Sequence, residues 1–287
     1  MSKQIFIKRS HINAPLEALF AYHESPGAFL RLTPPWEQVE ILENTGGIQD
    51  GARVKLKLKI GPVAQTWELI HQNYRKNHGF EDKQIKGPFA YWVHTHHMEA
   101  DSKRGSYLED RIAYRLPFGI FGRIFGGAFS RAKLNRMFAY RHEIIQRDLA
   151  MHQTYRKQPR YTVAVTGASG LIGSQLVPLL TTGGHTVRRL VRHKPTRNDE
   201  IYWNPATGEI DASGLEGVDA VVHLAGENID AKRWSSSQKQ RILESRVQGT
   251  RLISETLAAM ENKPRVLITP SAVGYYGDRG AERLNEN

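Results

Sequence analysis

A glycine-rich turn near residue 167 has the residue types and the spacing of a phosphate-binding site. The segment YTVAVTGASGLIGSQLVPLL (161–180) reads as a buried strand, a turn and a helix, with Gly167, Gly170 and Gly173 at intervals of three. Gly167 permits the tight turn, Gly170 lets a pyrophosphate approach the backbone, and Gly173 lets the helix pack close to its strand. Free amides and the helix dipole favour an anion there. Because a β/α pattern begins at this turn, the segment predicts a dinucleotide site.

The end of the next strand, TVRRLVRHKP, decides between NAD and NADP. An NAD site usually carries Asp or Glu at this point, to bind the ribose 2′-hydroxyl group. This sequence instead has Arg192, His193 and Lys194, and no acidic residue before Asp199. The planar guanidinium of Arg192 suits a 2′-phosphate. We therefore expect NADP, with NAD less favoured; the alternative is that Arg192 is an ordinary surface residue.

Two later strands complete the candidate site. VDAVVHLAGENI (218–229) reads as a buried strand, and the small residues around its end, Leu224-Ala225-Gly226, would pass under the cofactor. RVLITPSAVGYYGD (265–278) reads as another strand that leads to Ser271. IYWNPATGEID (201–211) predicts a hairpin inserted after the second strand, to which we assign no chemical role.

A long helix follows the strand of residues 218–229. It is predicted to begin near Ser235, with Gln238 three residues on as in a capping box. Its expected apolar side includes Ile242, Val247, Leu252, Ile253 and Leu257.

The N-terminal half has a different order of elements. A strand, IFIKRSHI, is followed by a helix that Pro15 opens and by the strictly alternating strand VKLKLKI (54–60), which predicts one apolar and one basic face. Three more strand-like segments follow: AQTWELIHQNY, PFAYWVHTHHM and SYLEDRIAYRL. A final helix is predicted from about 128 to 151, with an apolar face that includes Phe129, Ala132, Met137, Tyr140, Ile144 and Leu149.

Histidines and charged residues of this half raise the question of a metal site. Strand alternation places His94 and His96 on one face, beside Trp92 and Met98. Two histidines could ligate a metal, but no third ligand stands at a diagnostic spacing. We therefore expect a polar patch, in a pocket or on the sheet surface, and no metal. Asp110, Arg111 and Arg115 are interpreted as charges on a strand surface.

Composition excludes several classes of protein. The chain has 287 residues, 40% of them hydrophobic and 24% charged, which is typical of a globular protein rather than a disordered one. No apolar run approaches the roughly 18 residues of a membrane helix, and the start lacks the apolar region of a secretory signal peptide. With no cysteine, the sequence has no disulfide, zinc–thiolate site, iron–sulfur cluster or cysteine nucleophile, which fits a cytoplasmic location.

Charge is unevenly distributed along the chain. Residues 1–157 carry 24 basic and 15 acidic side chains, whereas residues 158–287 carry 16 and 14. Such a field would favour an anionic partner, and a solvated basic face is the simpler interpretation. Nucleic acid ranks last among partners, because the sequence has no RNP, helix-turn-helix or zinc signature.

A polar, basic segment, HQTYRKQPR (152–160), separates the two halves and predicts a domain boundary. We expect one domain over residues 1–152 and a second over residues 160–287.

The first half resembles the helix-grip superfamily, which includes START and polyketide-cyclase domains. GPFAYWVHTHHM, LEDRIAYRLPFG and RMFAYRH carry the resemblance. It implies an α+β domain in which an antiparallel sheet grips the long helix around a hydrophobic cavity for an apolar ligand. In such relatives the segment before the final helix, here LPFGIFGRIFGGAF (116–129), is often a mobile pocket gate. Contact with a membrane and ordinary packing under the helix are the alternatives.

The second half resembles the extended short-chain dehydrogenases/reductases. TGASGLIG, HLAGENI, DAKRW, SRVQGTRLI and SAVGYYGD are similar to an atypical epimerase/dehydratase-like subgroup, some of whose members bear a cell-division-inhibitor label. The resemblance implies a doubly wound α/β sheet of the Rossmann type. It places Arg192 on the 2′-phosphate and Ser271 on the reacting carbonyl or hydroxyl group. The pyrophosphate would lie on Gly167, Ser169, Gly170, Leu171, Ile172 and Gly173, and the adenosine side of the cofactor beside Leu224, Ala225 and Gly226.

Two departures from that family weaken the catalytic assignment. No Tyr-x-x-x-Lys occurs in the chain, and Tyr275 and Arg279, which have the spacing, are interpreted as structural. The chain also stops at Asn287, so we expect a fragment with an unpaired sheet edge and uncovered apolar surface.

Two functions therefore stay open. One is an NADP-dependent oxidoreductase or epimerase-like protein that acts on an unidentified hydroxyl or carbonyl compound and is fused to an apolar-ligand domain. The other is a non-catalytic sensor of NADP and of an apolar ligand.

Overall fold

The structure, a computed structural model, describes residues 3–60, 63–117, 119–230 and 232–285, without the side chains of residues 60, 119–125 and 273. The chain divides into two compact units. The N-terminal unit comprises Met1–Pro159 with Pro178–Gly184, and the C-terminal unit comprises Arg160–Val177 with His185–Asn287. No helix in the described part of the chain is both long enough and apolar enough to cross a membrane.

The N-terminal unit is a seven-stranded sheet with three helices. The helices are α1 (Leu16–Glu24), α2 (Ala28–Arg31) and α3 (Gly119–Thr154). The strands are β1 (Gln4–Ile12), β2 (Val39–Asn44), β3 (Arg53–Ile60), β4 (Val63–Arg75), β5 (Gly79–Lys86), β6 (Tyr91–Ala100) and β7 (Ser106–Arg115). Their order across the sheet is β1-β7-β6-β5-β4-β3-β2, and every neighbouring pair is antiparallel. This arrangement confirms the predicted α+β helix-grip class.

Strand β3 shows how its sequence builds this sheet. Val54 and Leu56 are buried, while Lys57 and Lys59 are exposed, as the alternation predicts. Lys57 meets Glu40 of the neighbouring strand, with Nζ 3.2 Å from Oε2. An ion pair as exposed as this one contributes little to stability, so burial of the apolar face holds the strand in place.

The start of α3 and the face that it buries both differ from the prediction. The helix begins at Gly119 rather than near residue 128, and Phe129 is 68% exposed. Ala132 is exposed as well, and Met137, Tyr140 and Ile144 are only half-buried, whereas Leu149 is buried as predicted. The buried residues are Leu134, Phe138, His142, Ile145, Asp148 and Leu149. Two of them are polar, and the apolar pattern alone therefore pointed to the wrong stripe of the helix.

The predicted gate, residues 116–129, is only partly described. Phe118 and the side chains of residues 119–125 lie outside the described residues, while the backbone from Gly119 onward is helical. The gate therefore stays a prediction.

The C-terminal unit is a six-stranded sheet with helix α5 (Ser236–Ala259) and the first part of α4 (Gly173–Thr182), whose residues from Pro178 onward are assigned to the other unit. Its strands are β8 (Thr162–Thr166), β9 (Thr186–Val191), β10 (Glu200–Asn204), β11 (Glu209–Ile210), β12 (Ala220–His223) and β13 (Val266–Ile268). The order is β11-β10-β9-β8-β12-β13. All pairs are parallel except β10 and β11, which form the hairpin that IYWNPATGEID predicts.

The strand order of this sheet identifies its ligand-binding edge. The chain runs outward from β8 to β10 on one side and then returns to the other side of β8 at β12. In a doubly wound sheet, ligands bind where the order reverses, beyond the carboxyl ends of the strands. The reversal here lies between β8 and β12. At the sheet edge, β13 leaves Val266 and Ile268 45% and 53% exposed, as expected for an unpaired edge.

Helix α5 begins where the sequence predicts. The hydroxyl group of Ser235 accepts a hydrogen bond from the amide of Gln238 at 3.2 Å. The reciprocal half of the capping box is absent from the described contacts, because the side chain of Gln238 bonds to Glu227. Ile253 and Leu257 are buried as predicted, but Val247 is 47% exposed, so its assignment to the buried side was wrong.

The phase of α3 gives a direct prediction. Phe138 is fully buried and packs on Phe6 with ring centroids 5.4 Å apart. Phe138→Ala therefore lowers the free energy of unfolding by about 3–5 kcal/mol, because it leaves a cavity. The matched change Phe129→Ala, on the exposed face, alters it by less than about 0.5 kcal/mol. Urea denaturation followed by circular dichroism measures both, and equal costs would contradict the observed phase.

Candidate functional site

The ends of β8 and β12 are tied together by one hydroxyl group. Thr166 and His223 are paired across the two strands, and Thr166 is fully buried. Its Oγ1 accepts hydrogen bonds from the amides of Leu224 and Ala225, both at 3.0 Å. Its single proton is then left for Nδ1 of His223 at 2.8 Å, which assigns the histidine's own proton to Nε2. Burial lowers the pKa of His223, in keeping with a neutral ring.

The glycines of the turn have the backbone roles that their spacing predicts. Gly167 has a φ of +67°, and a Cβ there would lie 2.9 Å from the amide nitrogen of Ala225. A Cβ on Gly173 would lie 2.2 Å from the carbonyl oxygen of Gly167, because α4 starts directly against the turn. A Cβ on Gly170 would lie 3.2 Å from the same oxygen, which is a close contact but less severe than at the other two glycines. The turn therefore brings the start of α4 close to the end of β12.

The outer side of this turn presents unpaired donors. Ser169, Gly170, Leu171 and Ile172 are exposed, Leu171 to 90% and Ile172 to 61%. Within the described residues, the amides of Leu171, Ile172 and Gly173 donate to no protein group. Amides at a helix N-terminus that lack an internal partner are suited to bind a phosphate. These residues therefore fit a pyrophosphate.

Arg192 lies one residue beyond β9 and is exposed. No ion pair or side-chain hydrogen bond involves it among the parts of the chain that the structure describes. Asp199, the first acidic residue after it, pairs with Arg189 and with Arg197, whose Nε is 3.0 Å from Oδ1. Two guanidinium groups therefore neutralise that carboxylate, and the guanidinium of Arg192 is available to an anion.

Ser271 follows the carboxyl end of β13, as Arg192 follows that of β9, and its side chain is exposed. Between Arg192 and Ser271 lie the ends of β8 and β12, so three strand spacings, about 14 Å, separate their strands. A Cβ on Gly226 would make ordinary van der Waals contact with the guanidinium of Arg246 at 3.5 Å, so packing alone does not require a glycine there. The predicted residues thus share one edge, although they come from separate parts of the chain.

The loop after Gly226 is shaped by α5, which sequence reasoning did not foresee. The amide of Glu227 donates to Oγ of Ser245 at 2.9 Å, and Gln238 Nε2 donates to Oε1 of Glu227 at 3.3 Å. Arg241 in turn donates to Oε1 of Gln238 at 2.5 Å. The sequence predicted Gln238 only as a partner in the helix cap, whereas the structure buries it fully.

The residues with the spacing of a Tyr-x-x-x-Lys pair are engaged elsewhere. Tyr275 is 85% exposed in the short turn after β13. Arg279 binds Glu282, with Nε 2.9 Å from Oε2 and Nη2 3.0 Å from Oε1. The structural interpretation of both residues stays a prediction.

A second group of polar residues lies on the inner face of the N-terminal sheet. His94 and His96 are buried and His97 is exposed, as the alternation predicts. Asp110 is only 3% exposed, so its interpretation as a strand-surface charge was wrong. It alternates inward with Leu108 and Ile112 along β7, while Arg111 and Arg115 are exposed as expected.

Asp82, on the neighbouring strand β5, is the third residue that could bind a metal beside His94 and His96. The sequence analysis did not identify it. Asp82 is paired with His94 across the strands, and His96 is paired with Asp110. Asp82 Oδ2 lies 3.4 Å from His94 Nδ1 and 3.3 Å from His96 Nε2. Asp110 Oδ1 lies 2.9 Å from His94 Nε2 and 2.7 Å from His96 Nδ1. Each histidine therefore faces both carboxylates, with one ring nitrogen toward each.

Two further histidines complete this His–Asp cluster, which we define as His71, Asp82, His94, His96, Asp110 and His142. His71 Nδ1 lies 2.6 Å from Asp82 Oδ1, and His142 Nε2 lies 2.7 Å from Asp110 Oδ2.

The electrostatics of the cluster follow from these contacts. Burial alone would raise the pKa of both carboxyl groups, but the surrounding histidines hold the pKa of Asp82 and of Asp110 well below the usual range. Burial lowers the pKa of His96, yet Asp110 and Asp82 outweigh it and raise that pKa to about 9.

Comparison with known proteins agrees with both folds. Residues 163–287 match the profile of the NAD dependent epimerase/dehydratase family, and residues 12–138 match that of the polyketide cyclase / dehydrase and lipid transport family. A crystal structure described as the nucleoside-diphosphate sugar epimerase from Corynebacterium glutamicum superposes with a TM-score of 0.79. It is 30% identical, over 96% of this chain and 57% of that one.

Curated relatives match a part of the chain. An epimerase family protein of Mycobacterium bovis is 45% identical over 125 residues, which are 44% of this chain and 41% of the relative. Another, of Mycobacterium leprae, is 42% identical over 137 residues, or 48% of this chain and 43% of the relative. The chain thus spans less than half the length of these relatives.

The chain therefore combines an α+β helix-grip unit with a following α/β unit of the Rossmann type. More particularly, residues 12–138 are similar to the polyketide cyclase family and residues 163–287 to the epimerase/dehydratase family.

The hydroxyl group of Thr166 gives a test of how the strand ends are held. Thr166→Val lowers the free energy of unfolding by about 2–3 kcal/mol, because two amides and His223 lose their partner. Thr166→Ser keeps the hydroxyl group and stays within about 1 kcal/mol of the wild type. Urea denaturation compares the two variants; a valine variant as stable as the serine variant would contradict the assignment.

Proposed function

We propose that the C-terminal unit binds NADP and serves an oxidoreductase or epimerase-like reaction on a hydroxyl or carbonyl compound. The observation that carries this proposal is the set of unpaired amides at Leu171–Gly173, beside the point where the strand order reverses. The family match of residues 163–287 supports a nicotinamide nucleotide. Arg192, with no acidic partner among the described residues, supports NADP over NAD.

Each predicted residue would contact a different part of the cofactor or substrate. The turn from Gly167 to Gly173 would hold the pyrophosphate through its amides, and Arg192 would bind the 2′-phosphate through its planar fork. Leu224-Ala225-Gly226 would lie against the adenosine side, where the absence of bulk lets the ribose approach the backbone. When bound, the cofactor supplies a hydride acceptor or donor. Ser271 would orient the substrate by donating a hydrogen bond to its carbonyl or hydroxyl oxygen.

The N-terminal unit would bind a small apolar ligand. Its match to the polyketide cyclase and lipid transport family supports this proposal, as does the aromatic lining of its inner face by Trp67, Phe89 and Trp92. The N-terminal unit would then either deliver this ligand to the reaction or act as a sensor of it.

A non-catalytic sensor of NADP and an apolar ligand is the second candidate. One observation favours it: the chain has no Tyr-x-x-x-Lys, and Arg279, which only has the spacing of that lysine relative to Tyr275, is engaged by Glu282.

Nucleotide titration tests the cofactor proposal. Followed by nicotinamide fluorescence, this chain binds NADPH about tenfold to hundredfold more tightly than NADH, since a charge-assisted contact is worth about 1.5–3 kcal/mol. Arg192→Ala removes the preference by weakening NADPH binding alone. Arg251→Ala, which removes an exposed arginine of α5, is the matched control and leaves both affinities within twofold. Equal affinity for both nucleotides in the wild type would overturn the choice of NADP.

Turnover separates the two candidate functions. With a panel of carbonyl compounds, an enzyme consumes NADPH catalytically, and Ser271→Ala abolishes turnover while leaving the NADPH dissociation constant within twofold. A full-length protein that binds NADPH but turns over none of the panel would favour the sensor.

A further inference from the structure

We propose that the His–Asp cluster of the N-terminal unit binds a divalent transition-metal ion through Asp82, His94 and His96. This site belongs to the other unit, and the proposal does not depend on the nucleotide site. One ligand atom from each of the three residues lies within 4.8 Å of the other two. The three residues are brought together by strand pairing alone, because Asp82 of β5 stands directly opposite His94 of β6 and His96 is two residues further along the same face.

The distances match those around a small tetrahedral ion. Zinc bonds of about 2.0–2.1 Å to nitrogen and oxygen place the ligand atoms about 3.3–3.4 Å apart. Asp82 Oδ2 lies 3.4 Å from Nδ1 of His94 and 3.3 Å from Nε2 of His96. Two of the three separations therefore fit such an ion, and the separation between the two histidine ligand atoms lies within 4.8 Å. Two imidazoles and one carboxylate suit zinc, iron, nickel and copper better than calcium or magnesium.

Asp110 has the position of the residue that orients metal-binding histidines. A histidine ligand almost always donates its other ring N–H to a carboxylate, a carbonyl or water. The nitrogens of His94 and His96 that face away from Asp82 are 2.9 and 2.7 Å from Oδ1 of Asp110. His142 of α3 contacts the second oxygen of Asp110 at 2.7 Å. Asp110 is thus a positioning residue, held in place from the helix.

A hydrogen-bond network without an ion explains the cluster less well. His71 Nδ1 and His96 Nδ1 lie 2.6 and 2.7 Å from carboxylate oxygens without the alignment of a hydrogen bond, and His142 Nδ1 has no partner within the described residues. Buried polar groups whose hydrogen bonds are missing or poorly aligned are rare in native proteins, and here several share one cluster.

Charge balance points the same way. Asp82 and Asp110 bring two carboxylates into the interior, and no lysine or arginine of the described chain forms an ion pair with either. Arg141 on α3 donates instead to the carbonyl of Leu32 at 3.1 Å and lies over the ring of Phe138. Without an ion, a protonated His96, which contacts both carboxylates, would supply the positive charge; a divalent cation would balance both of them with all four histidines neutral.

Three protein ligands leave a fourth position for water or for an oxygen atom of a bound molecule, as in catalytic zinc sites. The surroundings are aromatic, since Phe80 stacks on His96 at 4.2 Å and Phe138 meets His94 at 5.2 Å. An oxygen-bearing apolar molecule is therefore the class of ligand that this metal would hold.

Metal titration tests the proposal on the whole chain. The protein is stripped with a chelator, dialysed and titrated with Co²⁺, whose visible absorption reports tetrahedral coordination, and Zn²⁺ then displaces it. The wild type takes up about one ion per chain. Asp82→Asn and His94→Ala each weaken Co²⁺ binding at least hundredfold, and Asp110→Asn weakens it about tenfold to hundredfold.

His97→Ala is the matched control, because His97 is a neighbouring histidine of the same strand that faces outward. It binds Co²⁺ as the wild type does. Circular dichroism of each variant checks that the unit is folded, and the wild-type titration stands even if a variant is not. A stripped, folded wild type that takes up no Co²⁺ or Zn²⁺ would overturn the proposal. So would a folded His94→Ala variant with wild-type affinity.

Discussion

The hydroxyl group of Thr166 holds together the two strand ends on which the nucleotide site depends. It accepts the amides of Leu224 and Ala225 and donates to His223, so the segments after β8 and β12 leave the sheet in a defined relation. Gly167 can then turn against Leu224, and Gly173 can begin α4 directly behind it. The outward amides of the turn owe their exposure to this packing, because the inner side of the turn is filled by backbone. A phosphate site of this kind needs no side chain of its own.

The N-terminal unit uses its inner sheet face differently. Most of that face is apolar, but five histidines and carboxylates are paired across β4, β5, β6 and β7, and His142 of α3 contacts them from the helix. Burying ionised carboxylates is costly unless they are matched by charge and by hydrogen bonds. Such a cluster is therefore expected where it serves a purpose other than stability. The polyketide cyclase-like fold supplies a sheet rigid enough to hold those side chains in register.

Features that depend on neighbouring residues could be predicted from the sequence. The glycine spacing, the alternation of β3, the 201–211 hairpin and the Ser235 cap are local, and each is confirmed in its backbone geometry. Features that depend on distant pairing could not. Asp82 and His94 meet only because β5 and β6 pair in one register, which no spacing along the chain reveals. The phase of α3 was misread for a related reason, since His142 and Asp148 are polar yet face inward to partners on other elements.

Hydrogen exchange at the glycine turn tests the central claim most directly, because it observes the amides themselves. We expect NADPH to slow hydrogen exchange of the backbone amides of Leu171, Ile172 and Gly173, and of those in the neighbouring segment 224–226. Exchange that stays unchanged at both segments at every NADPH concentration, or that slows only in the N-terminal unit, would contradict it.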